Sequence, residues 1–409
     1  MAQSDAALRD GDATELPPLH MRRDAFSPTA QLREIRETEG VRVFTNAFGM
    51  EVYLITRHDD IKAVLSDHER FSNERPPGFA VQGVQSTEQE QATARAGNLL
   101  GLDPPDHSRL RRMLTPEFTI RRMKRLEPRI VEIVGAQLDA MENAGPPVDL
   151  VENFALPIPS LVICELLGVP YDDREDFQRR SVRQLDFSVP MPERIDLQRQ
   201  GRAYMTTLVA RARRHPGEDI LGMLVREHGD ELTDDELIGV ASLLLLAGHE
   251  TTSNMLGLGT LALLRHPEQL ALVRDDPDAI GPAIEELLRW LSIVQSAIPR
   301  ITTTDVEVAG VTIPAGNLVF ASMPSGNRDA AYIHSPEVLD IRRGAPGHLA
   351  FGHGVHHCLG APLARMEMRI AFPALLRRFP NLTLAEDFTD VAFRTWSFIY
   401  GLKSLEVSW

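Results

Sequence analysis

Residues 233–266 constrain the fold of this 409-residue chain more than any other stretch. Thr233-Asp-Asp-Glu236 has the pattern of a capping box, in which a threonine hydroxyl and a glutamate carboxylate each satisfy a free N–H at a helix start. An apolar run follows and continues to about His266, where Pro267 ends the helix. The run is hydrophobic nearly all round, so the helix has to be buried. Its centre conflicts with that requirement. Ala247-Gly-His-Glu-Thr-Thr252 places a glycine, an acid and two hydroxyls where burial makes them costly. Taken alone, the motif reads as a helix kink or an exposed turn as readily as a site.

A second stretch is Phe351-Gly-His-Gly-Val-His-His-Cys-Leu-Gly360, followed by Ala-Pro-Leu-Ala-Arg365. Pro362 stands where proline is favoured, in the first turn of a helix. Leu363, Met366, Ile370 and Leu375 continue at roughly helical spacing. Cys358 is therefore expected on a loop just before a helix N-terminus, where free N–H groups and the helix dipole favour a thiolate. Gly352, Gly354 and Gly360 let the backbone fold tightly and approach something flat or bulky. Three readings are open: a buried structural cysteine, a zinc ligand, or an axial thiolate on haem iron. His348, His353, His356 and His357 crowd the cysteine, but their spacing is not of the C-x2-C or H-x3-H kind that zinc favours. A thiolate on haem iron would push electron density toward O–O cleavage.

Bulk properties narrow the class. A hydrophobic content of 43% and a charged content of 25% are those of a soluble globular protein. Two cysteines, Cys164 and Cys358, make no disulfide framework, and Cys164 lies in an apolar segment that reads as core. A net charge of −15 argues against a nucleic-acid partner. Residues 1–15 show no signal peptide, and the run Leu237 to Gly248 is too short to span a bilayer. A cytoplasmic protein with no membrane association is expected.

Along the chain, residues 1–20 read as a loose leader. Val41 to Thr45 and Met50 to Thr56 read as a hairpin turned at 46–49, and Asp59 to Leu65 as a short helix. Residues 72–98 form a long surface loop, with room for one short helix. Asp103-Pro-Pro-Asp-His107 opens a helix on which His107 and Arg111 share a face. Arg121, Arg122, Lys124, Arg125 and Arg129 then face only Glu117 and Glu127, a basic patch suited to an acidic protein partner. Residues 125–230 are mostly helical, and 180–201 has little apolar periodicity, as a mobile lid would. Glu286 and Arg289 are spaced to pair on one helix face. Short strands are expected over 299–308, 311–313 and 318–322.

Phe351 to Gly360 resembles the haem-binding loop of the cytochrome P-450 family, Phe-Gly-x-Gly-x-His-x-Cys-x-Gly, with every position of that pattern present. Ala247 to Thr252, Glu286-x-x-Arg289 and His107-x-x-x-Arg111 occur in the order the family requires. The resemblance spans about residue 20 to 409, and the form Ala-Gly-His-Glu-Thr-Thr is of the bacterial actinomycete type. Asn327-Arg-Asp329 matches a further family motif, although Ala330 stands where proline is usual. The resemblance implies one mainly α domain, residues 21–409, with a smaller β region and haem b between the long central helix and the cysteine-loop helix.

It implies Cys358 as the iron ligand and Thr251 and Glu250 as the hydroxyl and acid that manage protons for dioxygen cleavage. Ala247 and Gly248 would leave room for oxygen and substrate. Haem would be held by Phe351, Gly352 and Gly360 in the loop, with His107, Arg111, Arg300, His348 and His356 at the propionates. Glu286 and Arg289 would form a buried structural pair, with Arg342, Arg343 or His353 as third partner. Leu246, Val294, Ala297, Phe398 and Ile399 are expected in the substrate pocket, with contributions from 75–98 and 180–192.

The implied activity is insertion of one atom of O2 into a C–H bond, by hydroxylation or epoxidation. The substrate would be a bulky hydrophobic molecule such as a macrolide, terpenoid, steroid or xenobiotic. Electrons would come from a ferredoxin and a ferredoxin reductase that uses NAD(P)H, since no nicotinamide or flavin domain is fused to the chain. A monomer is expected. The alternatives are a peroxide-using enzyme of the same fold and a haem-thiolate sensor that never turns over. The acid–hydroxyl pair, which mere binding does not need, separates them.

Overall fold

The computed structural model describes residues 16–45, 51–74 and 87–409. The central helix runs over Asp234–Leu264, 31 residues, and its capping box forms as expected: Thr233 accepts from the Glu236 amide and Glu236 from the Thr233 amide. Other helices surround it. It packs on the helices Pro157–Leu167, Met191–Arg214 and Ala361–Arg378, the last being the cysteine-loop helix. Leu256, Leu258, Leu261 and Leu263 are fully buried, so its C-terminal half is core. Near the middle the burial fails on one side: Ala247 is exposed and Leu243, Leu244 and Thr251 are half-buried. That strip faces a cavity.

The β region lies to one side. A five-stranded sheet has the order Val41–Thr45, Glu51–Ile55, Leu318–Ala321, Arg300–Thr302 and Phe71–Ser72. The first two strands pair antiparallel, Val43 opposite Tyr53, as the hairpin reading required; its turn lies outside the described residues. Glu51–Ile55 pairs parallel with Leu318–Ala321, a long-range pairing no local pattern announces. A small apolar core of its own, including Ile55, Ile61, Val319 and Leu349, lies under this sheet.

Three expectations change. Residues 180–201 are not a lid without structure: the helix Arg174–Gln184 and the helix Met191–Arg214 run through them, leaving only 185–190 between. A helix with Pro at its first turn and Arg-rich exposed faces needs few apolar positions, so periodicity misses it. The segment 299–308 is two strands, Arg300–Thr302 and Val306–Val308, broken by a bend. The end of the leader is in contact with the fold, since the His20 ring stacks on Phe320 at 4.9 Å and Met21 is buried. Within the long loop after Ser72, Thr87 and Glu90 build a capping box for the helix Glu88–Arg95, and residues 75–86 lie outside the described residues.

Candidate active site

The cysteine loop is tied down by its own backbone. The Cys358 amide donates to Phe351 O at 2.9 Å, and the Gly352 amide to Leu349 O at 2.8 Å. Gly352 and Gly354 both have φ near +70°, and a Cβ on Gly354 would lie 2.4 Å from Leu65 O, so only glycine fits there. Cys358 is exposed, and what its side chain opens into is the cavity. Burial pushes its thiol up, while the amides of Gly360 and Ala361 and the charge of Arg111 act in the opposite direction. The amides are the free N–H groups of the cysteine-loop helix, where a thiolate is favoured.

Side chains that the sequence scattered converge on this cavity. His107, Arg111, Arg300 and His356 line it together with Cys358. The His107 and His356 rings are 4.2 Å apart, and Arg111 donates to His357 O at 2.7 Å, tying its helix to the loop. Burial lowers Arg300 to about 10 and, with neighbouring cations, His356 to about 3. His107 Nδ1, His356 Nε2 and Arg300 Nε are buried without a hydrogen-bond partner. Buried donors left unsatisfied beside uncompensated positive charge are costly, and an anion with several acceptor oxygens would relieve both. A flat dianionic ring seated against Cys358 has those properties, so these residues fit a haem and its two propionates. The histidines do not form a zinc set: among the described residues no group of three or more His, Cys, Asp or Glu is placed to hold a metal ion.

His348, expected at a propionate, does not line the cavity. Its Nε2 lies 3.1 Å from Glu285 Oε2, and Glu285 also accepts from Arg365 at 2.7 and 2.8 Å. Arg365 in turn stacks over the Phe351 ring at 4.5 Å. His348 therefore braces the cysteine loop from behind. Glu286 and Arg289 form a fully buried bidentate pair at 2.7 Å, and the third partner is Arg343, 3.4 Å from Glu286 Oε1.

The central helix supplies another wall. Leu246, Ala247, Glu250 and Thr251 line the cavity, as do Val294, Ala297, Phe398 and Ile399. Gly248 lines it too, but its missing side chain serves a different purpose: a Cβ would lie 2.7 Å from Ile163 Cδ1, so the glycine permits close packing of two helices. Thr251 donates its hydroxyl hydrogen to Ala247 O at 2.9 Å, leaving its oxygen free to accept from the cavity. Glu250 is buried, and Arg394 Nη1 donates to its Oε2 at 3.0 Å. Burial would push this carboxyl up; the nearby His249, whose Nε2 lies 3.5 Å from Oε1, and the Arg394 charge outweigh it and hold it below the usual range.

The cavity measures about 340 Å³ of space open to the centre of a water-sized sphere and is overwhelmingly apolar. Leu99 and Leu100, which lie just beyond the expected 75–98, join its wall, as does Leu185. Of 180–192, Leu185 is the residue that reaches it. Arg394 was missed; an arginine inside the apolar C-terminal stretch Phe393 to Tyr400 was the available signal.

The expected basic patch is smaller than the sequence suggested. Arg122 pairs with Glu117 at 2.9 Å, and Arg129 with Glu165 at 2.6 Å and Glu132 at 2.9 Å. Arg112, Arg121, Lys124 and Arg125 remain exposed, with no acidic partner among the described residues. Cys164 is buried core, its thiol pushed up to about 12 by burial. No helix among the described residues is long and apolar enough to cross a membrane.

Comparison with known proteins agrees with this geometry. Residues 206–398 match the model of the cytochrome P450 family. The chain is 50% identical over 393 residues to cytochrome P450 FAS1 of Rhodococcoides fascians, covering 96% of this chain and 98% of the relative. It is 45% identical over 387 residues to pentalenic acid synthase of Streptomyces avermitilis, covering 93% and 94%. A solved structure of CYP105P1 in complex with filipin I superposes with a TM-score of 0.89 at 38% identity, covering 97% of this chain and 99% of that one. P450 StaH, from glycopeptide antibiotic A47934 biosynthesis, superposes with a TM-score of 0.85 at 43% identity, covering 96% and 100%. Identity at this level across nearly the whole length, with the thiolate loop and the acid–hydroxyl helix on one cavity, shows that the chain belongs to the cytochrome P450 family and is an oxidoreductase of the monooxygenase class.

Proposed function

We propose that this enzyme hydroxylates or epoxidises a bulky, mostly hydrophobic secondary metabolite, with electrons from a ferredoxin and a separate NAD(P)H-dependent ferredoxin reductase. The observation that carries the reading is the apolar cavity that has Cys358 on one wall and Ala247, Glu250 and Thr251 on another. Relatives named for pentalenic acid, vitamin D3 and nocardicin C, and a structure holding filipin I, support an apolar or extended natural product as the substrate class.

Cys358 Sγ would hold the haem iron, with the Gly360 and Ala361 amides favouring its negative charge. His107, Arg111, Arg300 and His356 would hold the propionates. Bound haem supplies the activation of O2 with two electrons, chemistry that side chains cannot provide. The chain's own contribution is placement and proton control. Phe398, Ile399, Val294 and Ala297 exclude water and orient the substrate by shape. Thr251 Oγ1 accepts a hydrogen bond from the cavity while anchored to Ala247 O, and so fixes a proton donor at one place. The Glu250 carboxylate, beside it in the helix, exchanges protons with water in the cavity wall. We further propose a cytoplasmic monomer of one domain over 21–409, docking ferredoxin through Arg112, Arg121, Lys124 and Arg125.

The test is the absorption spectrum of the dithionite-reduced protein with carbon monoxide, followed by turnover with ferredoxin and reductase. A strongly red-shifted Soret band that is lost in Cys358→His supports thiolate ligation. An unshifted band in the wild type would refute it. Absence of NAD(P)H-dependent product while peroxide supports turnover would move the reading to the peroxide-using class.

A further inference from the structure

Arg394 belongs to no motif and does not line the cavity, yet it makes the one charged contact from outside the central helix to Glu250 among the described residues. Its Nη1 lies 3.0 Å from Glu250 Oε2 and 3.4 Å from Asn254 Oδ1, and its side chain is 12% exposed. Asn254 is itself fixed by donating to Glu250 O at 2.7 Å. Gly401 presses against it, since a Cβ there would lie 1.6 Å from Asn254 Oδ1. Glu250 Oε1 and Arg394 Nη2 remain buried with no hydrogen-bond partner, so the pair is held but not saturated.

Arg394 stands at the base of a hairpin closed by its own amide donating to Gly401 O at 2.8 Å. The same hairpin carries Phe398 and Ile399 into the cavity wall. Its tip is bonded to the segment between two helices: the Phe398 amide donates to Leu185 O at 3.0 Å and the Phe187 amide to Trp396 O at 2.9 Å. One short element therefore touches the substrate space, the inter-helix segment and the distal acid.

We propose that Arg394 is a positioning residue for Glu250 and exerts its hold from the hairpin that walls the substrate cavity, so that a ligand displacing Phe398 or Ile399 loosens the ion pair at the acid. This deepens the proton-relay reading of Glu250 and rests on it. Two titratable or charged groups bear on that carboxylate, His249 from its own helix, 3.5 Å away, and Arg394 from the hairpin. Burial pushes the carboxyl up and these two hold it down. Removing Arg394 leaves burial opposed by His249 alone, so Glu250 takes up a proton at higher pH.

The experiment is infrared difference spectroscopy on the holoenzyme, with Glu250→Gln to assign the band. In Arg394→Met the protonated carboxylic acid band, followed through a pH titration, is expected to persist to higher pH than in the wild type and to vanish in Arg394→Met/Glu250→Gln, whereas Arg394→Lys leaves it as in the wild type. Arg394→Gln, which keeps a donor without the charge, gives the same test if the methionine variant does not fold. Product formed per NAD(P)H should fall about tenfold or more in the charge-removing variants, and its pH profile should move to higher pH. Wild-type enzyme filled with clotrimazole, a bulky azole, should show part of the same upward shift. No upward shift of the band's titration in either charge-removing variant would overturn the positioning role; a shift in those variants but none with clotrimazole would overturn the link to the cavity. If Glu250→Gln itself left product per NAD(P)H unchanged, the relay reading would fail while the band would still report on Arg394.

Discussion

Glu286→Gln removes one charge from the most completely buried ion pair among the described residues and changes almost nothing in shape. Glu286 Oε2 accepts from Arg289 Nε at 2.7 Å, and Oε1 accepts from Arg289 Nη2 at 2.7 Å and the Asp340 amide at 3.1 Å. Arg343 adds a cation 3.4 Å from Oε1. A glutamine amide can place its oxygen at one of these positions; its NH2 group then faces N–H donors at the other. Arg289, fully buried, still donates to the carbonyls of Asn327, Pro336 and Val338, so it stays in place as a charge without its counter-ion. Breaking a buried pair by removing one partner costs about 3–5 kcal/mol. With an unfolding entropy of about 2.1 cal/mol/K per residue, 409 residues give ~0.9 kcal/mol/K, so the melting temperature should drop by about 4–6 °C. The neighbouring Glu285→Gln, at a pair that is partly exposed, should shift it by less. Thermal unfolding followed by far-UV circular dichroism measures both. Equal shifts for the two variants, or a drop under 1 °C for Glu286→Gln, would refute the argument from burial.

Three further outcomes are expected. Glu285 is raised by burial but held down to about 2 by hydrogen bonds from Arg365 and His348, so its stabilisation is present above its unfolded value of 4.5 and is lost as pH falls from there toward 2; Glu285→Gln should flatten the acid limb of the stability profile over that range, and an unaltered limb would contradict it. Gly248→Ala should destabilise by roughly 1–3 kcal/mol through the 2.7 Å contact with Ile163 Cδ1, and Ile163→Val, which deletes that atom, should recover much of the loss; strict additivity in chemical denaturation would exclude the contact as cause. Arg112→Glu with Arg125→Glu should slow electron transfer from ferredoxin by about tenfold or more at low ionic strength and weaken its salt dependence; unchanged stopped-flow rates would remove this face from docking.

Much of the site was legible because its chemistry is local. Cys358 needs its loop glycines and the helix start that follows, and these are neighbours in the chain. The same holds for Ala247 to Thr252, where polar residues break an apolar run. The capping box at Thr233 and the stop at Pro267 located the central helix to within two residues at its end. Glu286 and Arg289 could be paired because three residues on a helix share a face.

What spacing could not supply was the partner across space. His348 was placed at a propionate by its position before Phe351, whereas its neighbour is Glu285, 63 residues away. Gly248 lines the cavity as expected, but the atom that crowds a side chain there belongs to Ile163 on another helix, which spacing could not show. The helices over 180–201 escaped notice because their exposed faces carry arginines and leave little apolar period.

The sequence by itself determined the family, the thiolate, the acid and hydroxyl, and the length of the helix that carries them, because covalent order and helical period set those over short distances. Only the tertiary structure decided which side chains gather at one cavity, that Arg343 completes the Glu286–Arg289 pair, and that Arg394 grips Glu250 across 144 residues of chain. Burial and long-range charge depend on every element packed around a group, and no single stretch of sequence contains that information.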